Sequence, residues 1–257
     1  MPELIEVELY RRATEVLVGE RIAWVDAPDA WFLKGGLTAG ALSDAMIGRR
    51  VAAVRRHGKL MLIDVGPTVG VRFGMTGRVI VGGHAPIDRL EYSSGRDDPS
   101  WDRLALGTEG GVVLRVSDPR RLGGVELEPD VSRLGPDATL ITPSQMARAV
   151  SGPVALKVRL MDQSRVAGIG NLIADEVLWR ARLSPIRAGG STDGREVARL
   201  VRHLRSSIER LAGAGGSHLG TLQPERAGGG QCPRCGGPLR RDRVGGRTTI
   251  WCPAEQA

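Results

Sequence analysis

Lysine is almost missing from this basic chain. Of its 36 basic residues 33 are arginine, and the only lysines are Lys34, Lys59 and Lys157. Cysteine is as scarce, with Cys232, Cys235 and Cys252 all inside the last 26 residues. That placement excludes a disulfide framework running through the chain and favours a local metal clip. No run of about 18 apolar residues occurs, which argues against a membrane-spanning helix. The N-terminus carries acids where a secretory signal needs a basic stretch followed by an apolar one, so a cytoplasmic location is expected. There is no internal repeat.

What is present is an uneven charge. The chain of 257 residues has a formal charge of +7 and a pI of about 10.1. Residues 157–257 hold 17 Lys and Arg against 9 Asp and Glu, which leaves residues 1–156 at 19 against 20. A nearly neutral first part joined to a basic second part suggests a polyanion partner, with a solvated arginine surface as the plainer alternative.

The start of the chain, Met1-Pro2-Glu3-Leu4-Ile5-Glu6, is chemically loaded. With Met1 removed, the terminus is a secondary amine next to a carboxylate. An α-amino group titrates at about 7.7–8.0, so part of it is nucleophilic at neutral pH. Such an amine can form a Schiff base, and a neighbouring carboxyl group can move the protons. The same residues also suit an ordinary helix start: proline and acids favour the first turn, and Leu9, Tyr10, Ala13, Val16 and Leu17 form an apolar stripe behind it.

The N-terminal half then reads as short strands, at 21–25, 50–56, 60–65, 69–72, 79–81, 104–107 and 112–116, separated by Gly, Asp and Pro clusters. They predict an antiparallel sandwich or barrel, with an exposed loop over 82–101. Beyond residue 130 the pattern turns helical. Thr142-Pro143-Ser144-Gln145 and Asp193-Gly194-Arg195-Glu196 are capping-box starts, and helices are predicted over 143–150, 156–163, 171–181 and 194–212. A glycine-rich linker over 213–230 leads to the cysteines.

Three groups of residues here could carry chemistry. The turn Ala167-Gly168-Ile169-Gly170-Asn171 lies between two helices, where close backbone and helix N-terminal amides suit a phosphate; a shape-only turn is the alternative. Cys232-Pro233-Arg234-Cys235 and Cys252-Pro253-Ala254-Glu255 have zinc-finger spacing, with Glu255 where a fourth cysteine would stand. Between them, strands at 239–243 and 247–251 make a hairpin with Arg240, Arg241, Arg243 and Arg247, joined by Arg234, available to phosphates. In the first half, His57-Gly58-Lys59, Gly74-Met75-Thr76-Gly77 and Asp118-Pro119-Arg120-Arg121-Leu122-Gly123 each read as turns. Taken together with a basic groove they suggest wedge residues that hold the space left by an everted base.

In this order, and over nearly the whole chain, these segments resemble the formamidopyrimidine-DNA glycosylases of the Fpg/Nei family. The resemblance implies an α+β protein with a catalytic β-sandwich domain over 1–130, a helix-two-turn-helix domain over 131–220 and a zinc-finger-like hairpin over 228–257. It makes Pro2 the nucleophile and Glu3 its acid-base partner, with Glu6 and Lys59 completing the catalytic set. Lys59, Asn171 and Arg247 are implied to grip phosphates around the lesion, Lys157 to bind DNA as well, and Met75, Arg120 and Leu122 to fill the gap in the duplex. Zinc on Cys232, Cys235, Cys252 and Glu255 is the implied cofactor, and damaged double-stranded DNA the partner of a monomer at the nucleoid. The implied reaction is excision of oxidised or ring-opened purines followed by strand cleavage. Oxidised pyrimidines or bulky adducts, or damage binding without turnover, are the alternatives. The chain departs from the family pattern at Ile5 (a proline), Leu122 (a phenylalanine), Ile173 (a tyrosine) and Glu255 (a cysteine), and in a shortened 221–231 stretch.

Overall fold

A computed structural model describes residues 2–87, 90, 95–227 and 229–257. Met1 and residues 88, 89, 91–94 and 228, which include parts of the predicted loop and linker, lie outside the described residues. The chain divides into two compact units, Met1–Val131 and Ser132–Ala257.

The first unit opens with α1 (Leu4–Thr14), started by a capping box in which the Glu3 N–H donates to the Glu6 carboxylate at 2.8 Å. Then follow β1 (Ile22–Asp26), α2 (Ala39–Met46), β2 (Ala53–His57), β3 (Leu60–Asp64), β4 (Thr68–Arg72), β5 (Arg78–Val81), β6 (Asp102–Thr108), β7 (Val113–Ser117) and β8 (Gly124–Leu127). They form two four-stranded antiparallel sheets, ordered β1-β6-β7-β5 and β2-β3-β4-β8. Apolar residues of both sheets alternate inward, and Met61, Ile63, Val69, Val71, Leu104, Leu106, Leu114 and Val116 are fully buried in one core. Onto this core α1 packs Val7 and Tyr10, whose ring lies 4.8 Å from Phe73 and whose hydroxyl donates to the Gly77 carbonyl. The helix carrying the N-terminus is thereby fixed to the sandwich by its apolar face.

Two elements escaped the sequence pattern. The helix α2, AGALSDAM, has a good cap in Thr38 but only Leu42 and Met46 as buried residues, too few for a periodic signal. The four-residue β8 is recruited as an edge partner of β4. The predicted loop over 82–101 is mostly exposed or half-buried among its described residues, but Ile87 and Leu90 sit in the core, and the buried Arg78 donates to the carbonyls of Ile87, Gly95 and Arg96.

The second unit holds α3 (Pro143–Val150), α4 (Leu156–Met161), α5 (Asn171–Ala181), α6 (Gly194–Ala214) and the hairpin β9 (Arg240–Val244) and β10 (Arg247–Trp251). Both predicted capping boxes form, at Thr142 with Gln145 and at Asp193 with Glu196. Helix α5 is buried on nearly all sides, and α6 covers it with Val197, Leu200, Val201, Leu204 and Leu211. The predicted glycine-rich linker is no loose tether, since it contains two 3₁₀ turns, Ser217–Leu219 and Pro224–Ala227, and plants Leu222 against Trp179 and Cys232.

Candidate functional site

In the first unit the candidate residues are gathered around α1. Pro2, Glu3 and Glu6 are buried, Glu3 and Glu6 to within 1 % of full burial. Burying two carboxylates is costly unless each is hydrogen-bonded, and the capping box that opens α1 engages both, the Glu3 side chain accepting the Glu6 N–H and the Glu6 side chain the Glu3 N–H. Met1 lies outside the described residues. Lys59 is half-buried and follows Gly58 in the two-residue turn between β2 and β3, where His57 pairs with Leu60. Gly58 has φ +59°, the positive value that the first position of so tight a hairpin turn requires.

The three proposed wedge residues stand on two loops that share one frame. Met75 is half-buried between β4 and β5, while Arg120 and Leu122 are exposed between β7 and β8, Leu122 by 51 %. Asp118, completely buried, is the keystone of that frame. One carboxylate oxygen accepts the Thr76 hydroxyl at 2.6 Å and the Arg120 N–H at 3.2 Å; the other accepts the Gly123 N–H at 2.8 Å. Backbone contact closes the same frame. A Cβ at Gly74, with φ +56°, would fall 2.4 Å from the Leu122 carbonyl carbon, so only glycine lets the two loops lie together.

In the second unit the turn before α5 is shaped by Gln163. Its amide accepts from Gly168 N–H and donates to the carbonyls of Met161 and Ile169. That bracing presents the N-terminus of α5, whose first residue is Asn171. The Asn171 Oδ1 has no hydrogen-bond partner among the described residues. Arg247 is exposed at the start of β10, directly after the Gly245-Gly246 turn, and Arg240, Arg241 and Arg243 are exposed on β9.

Three sequence expectations need correction. Lys157 is fully buried: its ammonium lies 2.7 Å from the Asp175 carboxylate and donates to Thr249 Oγ1 and the Thr248 carbonyl, so it ties α4 and α5 to the hairpin and does not face solvent phosphates. Arg226 pairs with the other oxygen of Asp175. Arg234 is not offered to phosphates either, because it stacks over the Trp179 ring at 4.4 Å and pairs with Glu255.

The third correction concerns Glu255 as a metal ligand. The sulfurs of Cys232, Cys235 and Cys252 lie within 4.8 Å of one another, close enough for one ion. The Glu255 carboxylate is instead directed to Arg234 at 3.1 Å and Arg182 at 3.5 Å. Three thiols therefore fit a metal and the expected fourth ligand does not. Burial pushes the Cys232 thiol up, but the Trp179 indole N–H and the Cys235 and Arg234 amides bring it down to about 7; burial, with the two neighbouring sulfurs, drives Cys252 up to about 11. Trp179, with Leu222 and Leu239, gives this cluster a small apolar core of its own. Sequence reading passed over Trp179 and gave no role to Asp118 or Gln163 themselves, because their partners are distant or across a turn.

The comparisons with known proteins agree with this geometry. The family model for the formamidopyrimidine-DNA glycosylase N-terminal domain matches residues 1–125, and that for the formamidopyrimidine-DNA glycosylase H2TH domain matches residues 134–221. The formamidopyrimidine-DNA glycosylase of Laribacter hongkongensis is 34 % identical over the whole of both chains, and that of Paracoccus denitrificans 33 % identical over 98 % of this chain and 99 % of its own. Among solved structures, the Thermus thermophilus protein superposes with a TM-score of 0.80 at 32 % identity, covering 99 % of this chain and 98 % of that one. The fold is also that of the Lactococcus lactis protein solved with DNA containing an abasic site, with a TM-score of 0.83 at 24 % identity over 99 % of each chain. The two-sheet sandwich headed by a buried Pro2-Glu3 start, the helical unit with its cysteine hairpin, and relatives matched end to end place this chain in the formamidopyrimidine-DNA glycosylase family.

Proposed function

We propose that the protein is a bifunctional DNA glycosylase and abasic-site lyase of base excision repair, acting on oxidised or ring-opened purines in duplex DNA. The observation that carries this reading is the buried Pro2-Glu3 pair on a helix locked to the sandwich. With Met1 removed, the Pro2 amine attacks the sugar C1′ of the damaged nucleotide and the base departs with a proton. Glu3, one residue away in a water-poor setting, is suited to supply and recover protons as the ring opens to the imine. The imine acidifies the C2′ proton, and β- then δ-elimination cleave the strand. Glu6 orders the helix start through the Glu3 N–H. Lys59, Asn171 and Arg247 take phosphates, Asn171 from the N-terminus of α5 and Arg247 as an exposed guanidinium on a basic hairpin. Met75, Arg120 and Leu122 occupy the place of the everted nucleotide.

The exposed Leu122 favours a second reading of the substrate. A leucine stacks less well than an aromatic ring, so the pocket opposite the lesion is less discriminating and oxidised pyrimidines become substrates. The finer cofactor reading is zinc on Cys232, Cys235 and Cys252, which supply three of its four tetrahedral positions. Its part would be to hold the hairpin, since no proton or electron of the reaction passes there. The protein acts as a monomer at the nucleoid in the cytoplasm.

Borohydride trapping on duplexes carrying an abasic site, 8-oxoguanine, a formamidopyrimidine or an oxidised pyrimidine tests the reading. A covalent adduct is expected, and the lesion giving most adduct names the substrate. Absence of an adduct from a preparation shown to lack Met1 would leave a damage-binding protein on a glycosylase scaffold.

A further inference from the structure

The tip of the wedge loop is Arg121, which lies between Arg120 and Leu122 and adopts φ +55°, a left-handed conformation unusual for a residue with a side chain. Asp118 fixes the two ends of this loop through the N–H groups of Arg120 and Gly123, and its carbonyl accepts the Arg121 N–H at 3.2 Å, which leaves the Arg121 side chain to a separate partner. The tip has its own tether. Arg121 Nε donates to Asp29 Oδ2 and its Nη2 to Asp29 Oδ1, both at 2.6 Å, in the two-point geometry that a guanidinium makes best. Arg103 reinforces it from below, since its Nε lies 3.7 Å from Asp29 Oδ2 and donates to the Asp118 carbonyl at 3.0 Å.

Asp29 is itself a rigid anchor. It caps the short turn Ala30–Phe32 by accepting the Trp31 N–H, and the Phe32 side chain that follows is completely buried in the sandwich core. Just beyond it, Lys34 N–H donates to the Val125 carbonyl of β8. On the other side of the pair lies an open groove of about 570 Å³, lined by Pro28, Pro99, Ser100 and Asp102 besides the charged residues.

We propose that Asp29 is a positioning residue for specificity: through Arg121 it fixes the left-handed tip, and so sets where Arg120 and Leu122 stand against the base opposite the lesion. The inference rests on the reading of those two side chains as gap-filling residues. Leu122 makes the tether matter more, because an aliphatic wedge has no stacking of its own to hold it between bases.

Asp29→Asn keeps the shape and the cap but removes the charge, and Arg121→Gln removes the other partner. Each is measured, with the double variant, for excision of 8-oxoguanine opposite each of the four bases. In parallel, the fluorescence of 2-aminopurine opposite a non-cleavable abasic analogue reports wedge insertion without turnover. Each single variant is expected to compress the opposite-base ratio about three- to tenfold and to reduce the fluorescence change, with the double variant no worse than either. Melting temperature and borohydride trapping on single-stranded abasic DNA are expected to stay at wild-type values. Unchanged ratios and fluorescence, additive effects, or equal losses on all four bases with a lowered melting temperature would overturn the proposal. Should the wild type trap nothing, the glycosylase reading fails, and the 2-aminopurine signal still decides the role of Asp29.

Discussion

The two units handle charge in opposite ways. In the first, which is almost neutral, the telling groups are buried acids: Glu3 and Glu6 at the chain start and Asp118 beneath the wedge loops. In the second, which carries the positive excess, many arginines are already engaged. Arg180 and Arg210 pair with Glu176, Arg226 with Asp175, Arg187 with Glu196 and Arg234 with Glu255. Arg240, Arg241, Arg243 and Arg247 stand exposed on the hairpin. Net charge therefore points to a polyanion partner, yet the surface that meets it is smaller than the arginine count suggests.

The largest expected effect lies on the acidic side of this comparison. Pro2→Gly should abolish the covalent adduct and lower strand cleavage at least about a hundredfold, while duplex binding is retained; nicking assays and gel shifts read the two separately. On the basic side, replacing the buried partner should matter for stability. Lys157→Met leaves buried Asp175 with Arg226 as its remaining cation and removes the tie to Thr249, and a loss of about 3 kcal/mol in urea unfolding is expected. Arg247→Ala should leave folding intact but weaken binding to all sequences, with the slope of log K against log salt reduced by about 1. Arg210→Ala, from the paired set, should leave that slope unchanged.

The metal comparison is subtler. After dialysis against a chelator, Glu255→Cys is expected to keep one equivalent of zinc by elemental analysis, whereas the wild type, with three thiols and a carboxylate held by Arg234 and Arg182, keeps less. The smallest effect concerns pH. Arg121 holds the Asp29 carboxyl below the usual carboxylate range, against a counteracting burial. A lowered carboxylate pKa contributes stability that is complete above about pH 4, near the unfolded value, and is lost as pH falls through the folded value. Opposite-base selectivity should accordingly be flat from about pH 5 to 8.

Much of the fold was legible because its signals are local. Alternating apolar residues gave the seven strands noticed first, and capping boxes at Thr142 and Asp193 gave helix starts that form as expected. Helix α2 and strand β8 were not legible, since neither has enough apolar residues to show a period. The same division runs through the site. Pro2, Glu3, Met75, Arg120, Asn171 and Arg247 announce themselves through short motifs. Lys157 and Glu255 fit motifs as well, but their partners come from 18 to 92 residues away, so sequence alone assigned them to DNA and metal.

By itself, then, the sequence determined the order of elements, the chemistry available at the N-terminus, the cysteine triad and the sign of the partner's charge, because these depend on residue type and near-neighbour spacing. Only the tertiary structure decided which charges are used up inside the protein. Asp29 meets Arg121 across 92 residues and Thr76 meets Asp118 across 42. Pairings at that range follow from which strands share a sheet, and no local propensity encodes them.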